Sequence, residues 1–193
     1  DGGMGGGIAC DECDELHIKG CRFESNRAKT HGGAVSVEMP VEKLQVENTT
    51  FEWNTAETGN GGALHTVLHD PVSLTLNKGV VFRGNSAPRG GGGAAFWSAV
   101  DVARIPPTRL IVDGAELQPA SGSLTAPGRN KAMYGDGVAT NGTFLDLDPP
   151  MLMVPQRRGA PFSTGDTTRP LAVRLLDFYG QIVASDSLTS VSF

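Results

Sequence analysis

"FESNRAKTHGGAV" occupies residues 23–35, and its pattern returns as "FEWNTAETGNGGAL" at residues 51–64 and "FRGNSAPRGGGGAA" at residues 82–95. Each copy runs Phe-x-x-Asn-x-Ala and then Gly-Gly-Ala, an order too regular to come from composition alone. Internal repetition of this length marks an architecture built by stacking like units. Aligned on the Phe, Gly20, Asn48 and Gly79 stand three residues earlier, the residue types that tolerate a left-handed turn. Cys21, Thr49 and Val80 stand two residues earlier, alternate with the Phe, and belong on its face of a strand. Further back, Leu16 and Ile18, Leu44 and Val46, and Leu74 and Leu76 each give a short period-2 strand. The third copy has one extra residue before its turn.

The glycine pairs begin at Gly6, Gly32, Gly61 and Gly92, spaced by 26, 29 and 31 residues. Each unit reads as two or three short strands between turn signals, and no stretch shows helical amphipathicity. A unit this small cannot bury its own apolar face, so it must stack on copies of itself. The simplest solution is a parallel β-helix, one repeat per coil, with coils roughly 4.8 Å apart. Phe23, Phe51 and Phe82 then stack in the interior. Asn26, Asn54 and Asn85 form a column of side-chain amides at one corner, and Ala and Gly line the walls that turn tightly.

At these residues the chain resembles the polymorphic outer membrane protein repeat, whose hallmarks are Phe-x-x-Asn and Gly-Gly-Ala-(Ile/Leu/Val). Phe23 to Asn26, Phe51 to Asn54 and Phe82 to Asn85 carry the first. Gly32-Gly33-Ala34-Val35 and Gly61-Gly62-Ala63-Leu64 match the second in full, while Gly92-Gly93-Ala94-Ala95 and Gly6-Gly7-Ile8 match in part. The resemblance covers about residues 1–97. It implies a right-handed β-helix, an extracellular or cell-surface location and an adhesive or structural role, with no catalytic residues to carry over. "NKAMYGDGVAT" at residues 130–140 is a fainter copy that keeps Asn130 and Ala132 but places Pro127 where Phe belongs.

The resulting expectation is an all-β chain. A right-handed parallel β-helix of about four to five short coils fills residues 1–148, the last coil degenerate. Residues 149–170 form a linker or connecting strand. Residues 171–193, with alternating Leu171, Val173 and Leu175 and a turn at residues 177–180, resemble the start of an immunoglobulin-like, sandwich-like module. A complete sandwich needs about seven strands. The tail therefore packs on the β-helix, finishes upstream strands or completes a sheet in another chain.

Hydrophobic residues make up 39% and charged residues 19%, which suits a packed core rather than disorder. Glycine, at 26 of 193, is about twice its ordinary share of roughly 7%. A net charge of -5 with scattered basic residues argues against nucleic acid as a partner, and no apolar run is long enough to span a membrane. The chain opens at Asp1 inside a glycine-rich phrase and reads as the interior of a longer or processed protein, so the lack of a leader excludes no compartment.

Chemistry-bearing residues are few. Cys10, Cys13 and Cys21 lack a second pair at zinc spacing and a βαβ redox context, which leaves one structural disulfide of unknown pairing plus a third thiol. Cys21 shares the inward register of Thr49 and Val80. Asn48-Thr-Thr and Asn141-Gly-Thr are N-glycosylation sequons. Asp70, Asp101, Asp113 and Asp136 fall in turns or insertions, with no carboxylate pair in one phase, and His65 and His69 flank a variable surface loop. No metal, cofactor or catalytic residue is expected. The expected function is a non-enzymatic extracellular structural or adhesive module that meets copies of itself or adjacent modules end to end, as in a fibre, through residues 171–193. The alternative is a carbohydrate-binding or carbohydrate-cleaving β-helix, with glycans as the ligand class.

Overall fold

The computed structural model describes residues 3–38, 43–68, 74–99, 110–117, 128–148 and 172–183. The connecting segment 149–170, the last ten residues, Asp70, Asp101 and His69 lie outside them. The chain is all-β, with no helix among the described residues. The first repeat supplies β1 (Ile8–Cys10), β2 (Glu15–Lys19), β3 (Arg22–Glu24) and β4 (Arg27–Ala28). The second supplies β5 (Val35–Val37), β6 (Lys43–Glu47), β7 (Thr50–Glu52) and β8 (Thr55–Ala56). The third supplies β9 (Leu64–Leu68), β10 (Leu74–Leu76), β11 (Val81–Arg83) and β12 (Ser86–Gly91). Then come β13 (Ala95–Ala99), β14 (Leu110–Val112), β15 (Lys131–Tyr134), β16 (Val138–Thr140), β17 (Gly142–Asp148) and β18 (Ala172–Asp177).

Strands pair with their counterparts in the neighbouring repeats. Four parallel sheets result, in the orders β1-β5-β9-β13-β16, β2-β6-β10-β14, β3-β7-β11 and β4-β8-β12-β15. Registers run without slip through the Leu and Phe strands, where Leu16, Leu44 and Leu74 are partners, as are Phe23, Phe51 and Phe82, while β12 and β15 shift register between Ala87 and Gly91. The extra residue of the third copy is absorbed in the Asn77–Val80 turn, closed by a 3.2 Å hydrogen bond from Val80 N to Asn77 O. Each of these repeats holds four strands rather than two or three, because β4 and β8, of two residues each, are too short to leave a periodic signature.

The core lies between the sheets, and Leu44, Val46, Phe51, Leu64, Leu74, Leu76 and Phe82 have no exposed surface. The three phenylalanine rings lie face over face, 5.0 and 4.7 Å apart at 6°. That separation is the strand spacing itself, so in-register parallel pairing forces the rings into contact. The sequence count put Pro127, which lies outside the described residues, at the fourth Phe position. Glu116 N donates to Val80 O and Phe82 N to Glu116 O, which sets Leu117 beside Phe82 and against the core. The fourth Phe-like position therefore precedes the Pro- and Gly-rich insertion, and the sequence count runs the wrong way round it.

The C-terminal strands differ in kind. β18 pairs antiparallel with β17, so the tail finishes an upstream strand, one of the three expected fates. Its terminal Asp177, fully buried, closes the turn that follows. Oδ1 accepts from Tyr179 N and Gln181 N, both at 2.9 Å, while Oδ2 accepts from Thr140 N at 3.1 Å. Gln181 Nε2 in turn donates to Val138 O at 2.9 Å. The free edge of β16 is thus met by side chains of this turn, and Phe178 packs on Trp97 with ring centroids 5.9 Å apart.

Candidate functional site

The residues with most polar contacts are the repeat asparagines. Asn26 N and Nδ2 both donate to Asn54 Oδ1, at 3.0 and 2.8 Å. Asn54 repeats this toward Asn85, and Asn85 toward Asn130, all within 2.8–3.0 Å. The second Nδ2 hydrogen goes to the Phe carbonyl of the preceding repeat: Phe23 O for Asn54, Phe51 O for Asn85, Phe82 O for Asn130. Asn54, Asn85 and Asn130 are fully buried. In Asn54, Asn85 and Asn130 the amide nitrogen donates twice and the oxygen accepts twice, which leaves these three nothing to offer a substrate. The column is structural chemistry, and Asn130 belongs to it as the degenerate fourth copy suggested.

Two histidines form a second cluster. His65, read from the sequence as flanking a variable surface loop, is only 5% exposed. Its ring is sandwiched between His31 at 4.5 Å and Phe96 at 5.6 Å. His31 belongs to the segment after β4, at the position just before a positive-φ glycine, where Asn60, Gly91 and Tyr134 stand in later repeats. That position turns back over the outer face of the β5-β9-β13 sheet and hides residues that alternation alone assigns to solvent. The recurrence of a residue before Gly32, Gly61 and Gly92 was the available signal. His65 Nδ1 lies 3.3 Å from Ser36 Oγ and 3.6 Å from Glu38 Oε1. Burial pushes its pKa down to about 3, aided by the neighbouring His31, so at neutral pH the Glu38 contact is not an ion pair. His31 is also lowered by burial, partly offset by Glu38, and its Nδ1 accepts from Asn60 N at 3.0 Å. A serine, a histidine and a carboxylate together invite a catalytic reading. A relay needs the hydroxyl and the carboxylate on opposite ring nitrogens. Here both meet Nδ1.

No family model, curated protein or solved structure matches the chain. Its surface features therefore carry the remaining argument. Gly20, Asn48 and Gly79 hold positive φ of 63°, 43° and 81°, as their residue types suggested. Asn48 is exposed beside an open groove of about 720 Å³ lined by Glu47, Lys78, Gly79, Asp113 and Glu116. A Cβ on Gly79 would come within 2.3 Å of Asn48 Oδ1, so glycine there lets the amide lie across the turn. Asn141, the other sequon asparagine, is half-buried between β16 and β17. Asp113 and Asp136 sit in turns; Asp136 accepts from Arg129 and from Ala132 N.

Trp53 was not singled out by sequence reasoning. It occupies the residue before the ladder asparagine, where Ser25 and Gly84 stand in the neighbouring repeats, all with φ near +60°. A bulky residue there is strained. The side chain is 53% exposed, and a Cβ on Gly84 would meet its ring at 2.3 Å, so one face of the indole lies flat on that glycine. Among the cysteines, Cys10 is bonded to Cys13. Cys21 is free and exposed, although Thr49 and Val80 in its column are fully buried. Its register was read correctly, but no repeat precedes it among the described residues to cover it. Among those residues, no group of three or more His, Cys, Asp or Glu is placed to hold a metal.

Proposed function

We propose that the chain is a right-handed parallel β-helix of the polymorphic outer membrane protein type, and that it works as an extracellular structural or adhesive module rather than as an enzyme. The observation that carries this reading is the asparagine column with its adjoining phenylalanine stack. The repeated residues are consumed in joining one repeat to the next, and that makes a scaffold whose variable outer surface is free to differ. The Cys10–Cys13 disulfide supports an oxidising compartment. Mass spectrometry of the native protein under denaturing alkylation should find one free thiol, on Cys21, and a glycan on Asn48 that enzymatic deglycosylation removes. Three alkylated cysteines and no glycan would defeat the extracellular assignment.

Carbohydrate binding is kept as a second reading because of Trp53. A flat, exposed indole is the usual platform for the apolar face of a sugar ring, and its strained backbone suggests retention for something other than folding. Trp53→Gly relieves the left-handed strain, about 1–2 kcal/mol, while removing the ring contact with Gly84, so stability should shift by less than about 1 kcal/mol. On a glycan array the variant should lose whatever binding the parent shows. Equal binding by both proteins would discard this reading.

A further inference from the structure

The segments leading into β5 and β9 lie side by side as straps over the outer face of their sheet. Thr58 N donates to Lys29 O and Gly32 N to Asn60 O, both at 3.0 Å, which joins residues 29–32 to residues 58–60. Between those two bonds Asn60 N takes a side-chain acceptor instead, His31 Nδ1, at 3.0 Å. One repeat on, Gly91 N takes Asn60 Oδ1 at 2.8 Å in the same way. His31 and Asn60 thus do one job, each standing just before a positive-φ glycine, Gly32 and Gly61. Their chemistry differs. An amide oxygen accepts whatever the pH, whereas an imidazolium has two donors and no acceptor. Because Nδ1 accepts, the neutral His31 ring carries its proton on Nε2, and a second proton must go to the atom that holds Asn60. A Cβ on Gly59 would come within 2.6 Å of that nitrogen, so glycine there lets the ring lie against the strap.

We propose that His31 is an acid-operated latch: its protonation frees Asn60 N, parts the 29–32 strap from the 58–60 strap and uncovers the outer face of β5, β9 and β13. Ser36, His65 and Phe96 are register partners on that face, and all three are buried. His31 stacks on His65 at 4.5 Å, so a charged His31 sets an N–H against the Asn60 N–H and a cation against the neighbouring ring. Lifting the strap admits water to His65, whose charging burial had opposed, and a second proton then follows the first and steepens the opening. The surrounding charges are few. Lys29 and Arg89 are exposed, and Glu57 is tied to Arg27. Residues 3–5, which bond to residues 29–31 on the other side, carry no charged side chain, nor do β5 and β13; His65 is the one titratable group of β9. Glu38, 3.6 Å from His65 Nδ1, is the carboxylate that faces the pair. Burial lowers the titration of His31 below its ordinary range, and Glu38 partly restores it. A base with a depressed folded pKa keeps the latch shut above the ordinary histidine range and opens it as pH falls below.

Amide hydrogen exchange of the full chain, followed by NMR from about pH 7.5 to about pH 4.5 and corrected for the intrinsic rate of each amide, tests this directly. Protection of the Asn60 and Gly32 amides should fall by about tenfold or more per pH unit once His31 titrates, while the β6 and β10 amides stay protected. The His31 ring nitrogens, read in the same spectra, should change from one protonated and one accepting nitrogen to two protonated ones over the same pH range. His31→Asn installs the group that already does this job in the next repeat, and removes the proton site. Its strap amides should keep their protection across the whole range. Asn60 protection that does not change with pH in the parent overturns the proposal. So does an equal fall in His31→Asn, which would place the titrating group elsewhere. Strap and β6 amides losing protection together would also overturn it, because the event is then global unfolding rather than the release of a latch.

Discussion

Asn85→Ala should lower the unfolding free energy by about 4–6 kcal/mol, because one truncation strands several buried polar groups at about 1–3 kcal/mol each. Asn54 N and Nδ2 lose their acceptor, and Phe51 O and Asn130 Oδ1 lose a donor. All lie on fully buried residues, so solvent does not replace the missing partners without opening the stack. Asn85→Asp keeps the shape and reverses half the chemistry, setting an oxygen against Asn130 Oδ1 and Phe51 O. It should be about as damaging at neutral pH and partly recover in acid, where a protonated carboxyl can donate again. Urea unfolding of the three proteins checks both. A loss under about 1 kcal/mol for Asn85→Ala would mean that the column contributes little beyond packing.

Acid should destabilise the protein by about 5 kcal/mol through His65 alone. The group titrates near 3 when folded, against an ordinary 6.5 when unfolded. That gap, at about 1.36 kcal/mol per unit, sets the size. For a base whose folded pKa is depressed, the unfolded chain binds the extra proton. The contribution is therefore complete above pH 6.5 and is lost progressively as pH falls toward 3. His31, lowered in the same direction, steepens the loss, while Glu38, the carboxylate facing both rings, moderates it. His65→Phe continues the stack onto Phe96 without a titrating group. The difference in stability between the two proteins should shrink or reverse between neutral pH and pH 4. Parallel pH profiles for the two would remove His65 from the account.

The repeat made the interior legible. Phe23, Phe51, Phe82 and the asparagines were placed correctly because in-register parallel pairing maps a fixed sequence offset onto a fixed column. Three things escaped for physical reasons. Leu117 was missed because an insertion separates it from Asn130, and motif counting assumes constant spacing. His65 was missed because a strand's alternation says which face a residue takes, not whether something folds over that face. Trp53 was missed because nothing local marks a bulky residue for a left-handed turn; only its column, shared with Ser25 and Gly84, does so.

The orientation of the hydrogen bonds has a mechanical consequence. Bonds between neighbouring repeats run across the strands, so tension applied through the chain peels a terminal repeat rather than shearing the whole array. Asn54 and Asn85, partners in the column, are 31 residues apart in sequence. At about 3.3–3.6 Å per extended residue, each peeled repeat would lengthen the chain by roughly 100 Å. Such a molecule yields in steps of one repeat, dissipating work at each step while the rest of the array stays folded.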